Sequence, residues 1–302
     1  MNKLIHTEQQ VIKNSYGYYE LAHKPSQAEL DDYYRNKYYQ DSRGSYEHSY
    51  SDEELLYSSN KLQQKKLILD ELFQGDDMAS RSMLDIGCGE GWTLEFFSSL
   101  NWQVKGVDFS PHGLHTHNKH LLKFIETGDI YLKLQEFIDS SQRYDLVVLD
   151  NVLEHVLEPA RLLHMISMLI TKAGVLLIEV PNDFSKVQEL LQEQNCINRP
   201  FWVAVPDHIS YFNKNALQLL AESQGWKMSK CLADHPIDMN LFNPDSNYVM
   251  DGSKGKNCHR SRVAIENLLH DISPAKTNHF YEAMADLGIG RQIIMFLQPN
   301  NG

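Results

Sequence analysis

Gly87, Gly89 and Gly91 stand at alternate positions behind the apolar run Met83-Leu84-Asp85-Ile86 and ahead of a helical pattern with Leu94, Phe96, Phe97 and Leu100 on one side. Strand, glycine turn and helix make a nucleotide-binding loop, because glycine turns tightly and leaves no Cβ between main chain and ligand. The spacing narrows the ligand. A dinucleotide fingerprint is G-x-G-x-x-G, with a pyrophosphate on the helix N-terminus. Here the loop is G-x-G-x-G, and Trp92 stands where the third glycine belongs. Glu90 inside the loop repels a pyrophosphate, and no Lys-Ser/Thr pair follows, so a phosphate-cradling loop is excluded. What remains is a nucleoside without phosphate. Asp85 at the strand end can accept a hydrogen bond from a cationic amine, and S-adenosylmethionine (SAM) meets both demands. Asp108 ends the next short strand, twenty-three residues after Asp85, where a carboxylate can accept both hydroxyls of a ribose.

His112, His115, His117 and His120 form the one tempting metal cluster. Two pairs lie at helical i, i+3 spacing, but no nearby cysteine or carboxylate completes a site. They read as the solvated face of a surface helix, and no metal is expected.

The octet Leu84-Asp85-Ile86-Gly87-Cys88-Gly89-Glu90-Gly91 resembles the first motif of the class I SAM-dependent methyltransferases. That resemblance implies an α/β, Rossmann-like methyltransferase sheet of seven strands, six parallel and the last antiparallel between strands five and six. It also implies SAM as cofactor and S-adenosylhomocysteine (SAH) as product. The cofactor-binding positions it implies are Asp85, Gly87, Cys88, Gly89, Gly91 and Trp92 in the loop, and Asp108 with Phe109 at the ribose. Asp129 and Ile130 match the adenine contacts, and Asp150 and Asn151 follow the fourth strand.

The run Tyr144–Asp150 with Asn151-Val152-Leu153-Glu154-His155-Val156-Leu157-Glu158-Pro159 resembles the fourth motif of methyltransferases related to the ubiquinone-biosynthesis O-methyltransferases. Ligands sit beyond the carboxyl ends of the strands in such sheets, so Asp150, Asn151, Glu154 and His155 should border the transferred methyl. On a second reading Glu154 and His155 only cap the next helix, Ala160 to Ile170. His208 opens His-Ile-Ser-Tyr-Phe, which again looks like this branch, where the histidine faces the acceptor pocket. A hydroxyl acceptor calls for a general base near neutral pH. His208 is the first candidate and His155 the second, with Asp150 or Glu154 orienting the histidine or binding acceptor hydroxyls.

The tyrosine-rich N-terminus, the Glu-His turn, the His208 loop and the C-terminal Gly-Ile-Gly-Arg are together similar to bacterial methyltransferases of sugars and surface polysaccharides. O-methylation of a carbohydrate or nucleotide-sugar is the implied reaction, by analogy of family and not by physics. A quinone or other metabolite as acceptor, an RNA or protein methyltransferase and a non-catalytic SAM-binding protein are the alternatives. A nicotinamide dehydrogenase lacks its third glycine.

The elements that must position these residues read in order. Residues 1–60 form an N-terminal arm holding ten of the fifteen tyrosines, from Tyr16 to Tyr57. Its helix over Pro25–Tyr34 is capped by Ser26 with Glu29 three residues on. The arm is a lid with aromatic faces for a sulfonium, or a strap packed on the core. A helix over Ser51–Leu72, capped by Ser51 or Ser58, buries Leu62, Leu67, Ile68 and Leu72 and ends at Gly75-Asp76-Asp77. Phe124–Ile130 is the third strand. Lys172-Ala173-Gly174 is a turn into the fifth strand, Val175–Val180, and Phe184–Glu193 is helical. Asn213 caps a helix over Ala216–Ser223, and Trp226–Leu232 is the sixth strand. Residues 61–232 with 290–302 make the SAM-binding domain. Residues 233–289 are an insertion with helices at Ser261–His270 and Phe280–Leu287. It is expected to cap the acceptor side, or to make a homodimer contact. Its Asn243-Pro244-Asp245-Ser246-Asn247-Tyr248 loop could bind a polyhydroxylated acceptor.

The 302 residues suit one large domain with additions, and the net charge of −12 with no basic stripe argues against a nucleic-acid partner. The four scattered cysteines form neither zinc site nor disulfide framework, so a reducing cytoplasm is expected. The N-terminus is too polar for a signal peptide, and no apolar run nears the roughly 20 residues of a membrane span.

Overall fold

The computed structural model describes residues 11–33, 49–73 and 81–300. The stretch through Tyr38, Tyr39 and Tyr46, and the Gly75-Asp76-Asp77 helix stop, lie outside them.

Two short strands, β1 (Val11–Lys13) and β2 (Tyr19–Leu21), precede helices α1 (Gln27–Tyr33) and α2 (Asp52–Phe73). Each helix begins on a reciprocal cap of the expected kind. Ser26 and Glu29 bond each other's backbone and side chain, and Ser51 with Glu54 repeats the arrangement. Strands and helices then alternate: β3 (Ser82–Ile86), α3 (Trp92–Ser99), β4 (Gln103–Asp108), α4 (His112–His117), β5 (Ile125–Thr127), α5 (Ile130–Asp139), β6 (Tyr144–Asp150), α6 (Pro159–Ser167) and β7 (Ile170–Pro181). The chain continues through α7 (Lys186–Glu193), β8 (Ser210–Tyr211), α8 (Lys214–Ser223), β9 (Trp226–Ala233), α9 (Gly255–Ile272), α10 (Pro274–Asp286) and β10 (Gln292–Pro299).

Seven strands form one sheet in the order β5-β4-β3-β6-β7-β10-β9. The pairs β3/β4, β4/β5, β3/β6 and β6/β7 are parallel, and β10 runs antiparallel between β7 and β9. This is the expected sheet of six strands in one direction and one reversed. Its centre is read from continuous apolar runs: Leu84, Ile86 and Leu146 through Leu149 have no solvent exposure. After β3 the chain steps outward to β4 and β5, then returns to the other side of β3 as β6. The crevice for a ligand therefore opens beyond the carboxyl ends of β3 and β6.

Several boundaries differ from expectation for physical reasons. Lys172-Ala173-Gly174 is no turn; β7 is one strand from Ile170 to Pro181, and its pairing with β6 slips between Tyr144 and Leu146. Gly174 is there for close approach, since a Cβ would lie 2.7 Å from the Ile170 side chain and 3.0 Å from the Asp145 carbonyl oxygen. The helix after the Glu-His turn stops at Ser167, because the strand begins at Ile170. Phe184 has a φ of +52°, and the next helix starts behind it on the Ser185–Gln188 capping box. In the insertion both helices are longer than their apolar patterns: Ser273 caps α10 with Pro274 at its first turn.

The insertion helices lie on α2 and β9. Asn60 donates to Asn267, Asn267 donates to the Glu53 carbonyl, and Asn278 donates to the Gln64 carbonyl, each at 3.0 Å. A second sheet, β1-β2-β8, was not expected. In it Tyr19 and Glu20 pair with Tyr211 and Ser210, so the N-terminal arm is bonded to the strand just after His208.

Candidate active site

Behind β3 the backbone takes positive φ at Gly87 (+71°), Gly89 (+51°) and Gly91 (+80°). A Cβ at Gly87 would overlap a Val152 methyl, so glycine is required there for space as well as for conformation. Asp108 braces the loop: Gly89 N donates to one of its carboxylate oxygens at 2.8 Å and Ser110 N to the other at 3.0 Å. A carboxylate oxygen can accept more than one hydrogen bond, so a braced Asp108 is also a suitable acceptor for a diol. Asp108, Phe109, Ile130, Val152, Val156 and Leu157 line a narrow cleft of about 120 Å³. Asp129 lies on its rim, with one oxygen accepting from Leu132 N as the cap of α5. Gln27 and Leu30 of α1 complete the wall, a contribution that sequence patterning missed.

The cleft opens into a larger cavity of about 610 Å³. Asp85 lies on it, almost fully buried. Burial pushes its carboxyl up to about 8, the Asp150 charge adds to this and Lys65 opposes it. A buried acid so short of positive charge fits the amino group of a SAM-like ligand. Cys88 offers only backbone: its thiol is buried against Gly106. Trp92 donates its indole N–H to Glu90 at 2.6 Å, and the Tyr50 hydroxyl bonds the same carboxylate at 2.9 Å. His117 is 3.4 Å from it, and His120 is 2.6 Å from Glu95, so these two histidines of the expected surface face stand against acids.

Asp150 bonds Lys65 at 2.7 Å and accepts from the Asn151 amide at 2.8 Å. Beyond them a short 3-10 turn carries Glu154 and His155 to the cavity wall, beside His208. The expected catalytic trio is thus brought together. The two imidazole rings meet edge to face, 4.9 Å between centroids, and His155 Nε2 is 3.9 Å from Glu154. His155 Nδ1 is 2.7 Å from the Asp207 carbonyl oxygen, which fixes the proton on Nδ1 and leaves Nε2 as acceptor. Burial lowers His155 to about 4 and His208 to about 3, so both rings are neutral at pH 7. Burial raises the Glu154 carboxyl well above the usual range, and neither of its oxygens has a hydrogen-bond partner. Ligand-type atoms of the three lie within 4.8 Å of one another, so the trio could also hold an ion, a possibility the sequence gave no sign of.

The wall opposite was missed. It holds Tyr57, Lys61 and Lys65 from α2, Glu179 from β7, Asp234 after β9, Arg262 from α9, and Arg291 with Gln292 at the start of β10. Lys65 lies 2.7 Å from both Asp150 and Glu179. Burial alone would raise Glu179, but Lys65 and Lys61 hold it at about 2. The 243–248 loop, by contrast, is absent from the wall. Asn247 donates to the Cys196 and Leu241 carbonyls and Tyr248 to Asp238, so these polar groups hold the insertion together and tie it to the segment after α7. The tyrosines divide: Tyr18 and Tyr19 pack on Phe212 and Phe184, while Tyr57 faces the cavity.

A seven-stranded sheet of this order, a three-glycine loop and an acid at the end of the second strand define a class I SAM-dependent methyltransferase. The chain belongs to the methyltransferase-domain family, whose model matches residues 57–230. It is 30% identical over 107 residues to a ubiquinone biosynthesis O-methyltransferase of Alkalilimnicola ehrlichii, covering 35% of this chain and 43% of that one. It is 34% identical over 100 residues to the enzyme of that name from Rhodopseudomonas palustris, covering 33% and 40%. The chain thus spans less than half the length of these relatives. Among solved structures, a SAM-dependent methyltransferase from Archaeoglobus fulgidus aligns with a TM-score of 0.47 at 19% identity, over 79% of this chain and 94% of that one. The plantazolicin methyltransferase BamL aligns over 92% of both chains, with a TM-score of 0.48 at 14% identity. Among the described residues no helix is long and apolar enough to cross a membrane.

Proposed function

We propose that the chain O-methylates a small polyhydroxylated acceptor of the carbohydrate or nucleotide-sugar class. The observation that carries this reading is the wall of the larger cavity, where Lys61, Glu179, Asp234, Arg262 and Gln292 face the same space as Glu154 and His208. Such a wall matches ligand hydroxyls with donors and acceptors. The wall is more polar than apolar, and burying its charged groups under a long apolar tail would leave them unpaired. The relatives named as O-methyltransferases support oxygen as the methylated atom.

SAM, when bound, supplies a methyl group on a positively charged sulfur. The chain's residues bind and orient the reactants. Asp85 meets the amino group, Asp108 takes the ribose hydroxyls, and Phe109 and Ile130 flank the base beside Asp129. Gly87, Gly89 and Gly91 let the backbone approach. His208 is the first candidate to accept the acceptor's hydroxyl proton: its imidazole is neutral and its buried Nδ1 has no partner. His155, held by Asp207, presents Nε2 as the second. Burial raises the Glu154 carboxyl well above the usual range, and in its protonated form it can donate a hydrogen bond to an acceptor oxygen. The arm of residues 1–60 is read as a cofactor-side cover and residues 233–289 as the acceptor-side cap on the 61–232 and 290–302 domain. The four free thiols support a reducing cytoplasm.

The test is incubation of the full chain with methyl-labelled SAM and three panels: sugars, nucleotide-sugars, and catechol or quinol metabolites. Label moving to a sugar hydroxyl supports the reading. Transfer to the aromatic hydroxyls alone replaces the acceptor class. SAM binding with no transfer to any panel points to a binding protein without turnover.

A further inference from the structure

Glu154 stands apart from the other acids on the cavity wall. It is 1% exposed, and neither of its carboxylate oxygens has a hydrogen-bond partner. The charges that act on it most are those of Asp183, Asp150 and Glu179, all acids. The cavity's cations are drawn to other groups: Lys65 to Asp150 and Glu179, Arg291 to Asp183, Lys61 to Glu179 and Asp234, and Arg262 to Glu266. Among the described residues no lysine or arginine pairs with Glu154, and the side chain beside it is His155, with Nε2 3.9 Å away. A buried acid in such surroundings is costly unless a ligand completes its bonding.

Two imidazole nitrogens converge on the same place. His155 Nδ1 lies 2.7 Å from the Asp207 carbonyl oxygen, which puts the proton on Nδ1 and the lone pair on Nε2. A backbone carbonyl behind the far nitrogen is the usual support of a metal-binding histidine. His208 Nδ1 is buried and without a partner. Ligand-type atoms of Glu154, His155 and His208 lie within 4.8 Å of one another, and among the described residues no other trio of histidine, cysteine and acidic side chains does so. Two donors on one tetrahedral ion lie about 3.4 Å apart. The Glu154–His155 pair, at 3.9 Å, has little closing to do. Backbone bonds keep the two segments in step: Ile209 N donates to the Glu154 carbonyl at 2.8 Å, and the Tyr211 hydroxyl to the His208 carbonyl at 2.9 Å. All three side chains line the cavity that also holds Asp85 and the glycine loop.

We propose that Glu154, His155 and His208 bind one divalent transition-metal ion, open to the acceptor cavity. This rests on the methyltransferase reading above and deepens it at the same site. One carboxylate oxygen with two imidazole nitrogens suits Mn²⁺, Co²⁺ or Zn²⁺ better than Mg²⁺ or Ca²⁺, which take oxygen ligands. Three protein ligands leave a position for an oxygen of the acceptor. A hydroxyl held there is acidified, as a metal-bound water is. Its O–H bond breaks and the proton passes to water. The oxygen's electron pair then bonds the SAM methyl carbon, while the C–S bond breaks and its pair stays on sulfur to give SAH. In this arrangement His208 serves as a ligand, and the ion takes over the task of ionising the acceptor.

The experiment uses the full chain, treated with chelator, dialysed free of it and titrated calorimetrically with Mn²⁺, Zn²⁺ and Mg²⁺ in turn. One Mn²⁺ or Zn²⁺ per chain should bind with a Kd of about 10 μM or tighter, and Mg²⁺ about tenfold or more weakly. Glu154→Gln and His208→Ala should each weaken that binding about tenfold or more, while SAH affinity stays within about twofold. The double variant His112→Ala, His115→Ala on α4 should bind the ion as the wild type does. Neither ion bound at about 1 mM overturns the proposal. Wild-type affinity in both site variants overturns it as well, as does loss of binding in the α4 variant. His208→Ala keeps the test alive if Glu154→Gln does not fold. In the label-transfer assay, removing the ion should lower turnover about tenfold or more, and adding it back should restore it. Turnover indifferent to the ion would overturn its ionising role. SAH binding is read first in the same cell: its failure sinks the methyltransferase reading, whereas SAH binding without ion binding sinks the metal site alone.

Discussion

The small cleft beside Asp108 and the larger charged cavity adjoin at Gly87, Asn151 and His155, yet they are built differently. The cleft is small and mostly apolar, and its specificity rests on backbone shape plus two carboxylates already braced by main-chain N–H groups. The cavity is about five times larger and walled by charged side chains from elements far apart in sequence. The cleft resists change because its two carboxylates are fixed by local geometry. A cavity made of side chains can be retuned one residue at a time, but each buried charge in it depends on its partners.

That contrast can be broken most forcefully at Lys65. Lys65→Met leaves Asp150 without its cation and Glu179 with Lys61 alone, and removing one partner of a buried pair costs about 3–5 kcal/mol. Chemical unfolding at pH 7 should show a loss of that order. The Glu179 share should fade as pH falls from its unfolded value toward about 2, since a depressed acid stabilises only while ionised. An unchanged unfolding midpoint would mean the cavity tolerates loose charge. Next in size is His208→Ala. Losing a general base lowers kcat about 10²–10⁴-fold, so activity should collapse while SAM affinity, read by titration, stays put. A fall in SAM affinity of the same size would move His208 into the cofactor side.

Asp108→Ala tests the cleft. SAM binding should weaken at least about tenfold, roughly 1.4 kcal/mol, with acceptor binding to the SAH-loaded chain little changed. Equal losses on both sides would show the two regions to be one. The smallest effect at pH 8 belongs to Asp85→Asn. The free enzyme holds Asp85 protonated below about 8, and binding a cation requires it ionised, so SAM affinity should rise by up to about tenfold per pH unit below that value and level off above it. The variant should flatten this slope. A wild-type profile flat from pH 6 to 9 would remove Asp85 from the amine site.

The same contrast explains what could be read in advance. The glycine loop, Asp85, Asp108 and the Glu-His turn are local signals, set by spacing along one stretch of chain. The wall opposite is assembled across the chain, from Tyr57 to Gln292. Lys61 and Lys65 follow Tyr57 at i+4 and i+8, a polar stripe beside Leu62, Ile68 and Leu69 that an apolar pattern passes over. Glu179 was visible as an acid inside an apolar strand, but its partner Lys65 lies on another element. The two- and three-residue strands of the second sheet are too short for any period to register. The trio itself was named from resemblance, and its desolvation could be seen only once the fold closed around it.

The second sheet also constrains how the molecule comes into being. Leu21 N bonds the Ile209 carbonyl, and Ile209 N bonds the Glu154 carbonyl, so one short ladder ties three distant points of the chain together. A ribosome delivers Tyr19 long before it delivers Tyr211. The early strand, with β1 on one edge, must therefore wait for its β8 partner while most of the central sheet is made. The ladder cannot close before Tyr211 is made, and only then are the turn and loop bearing Glu154 and His208 bonded to the arm. Glu154 and His208 would then gain this bracing after the strands from β3 to β6 are made, late in the synthesis of the chain.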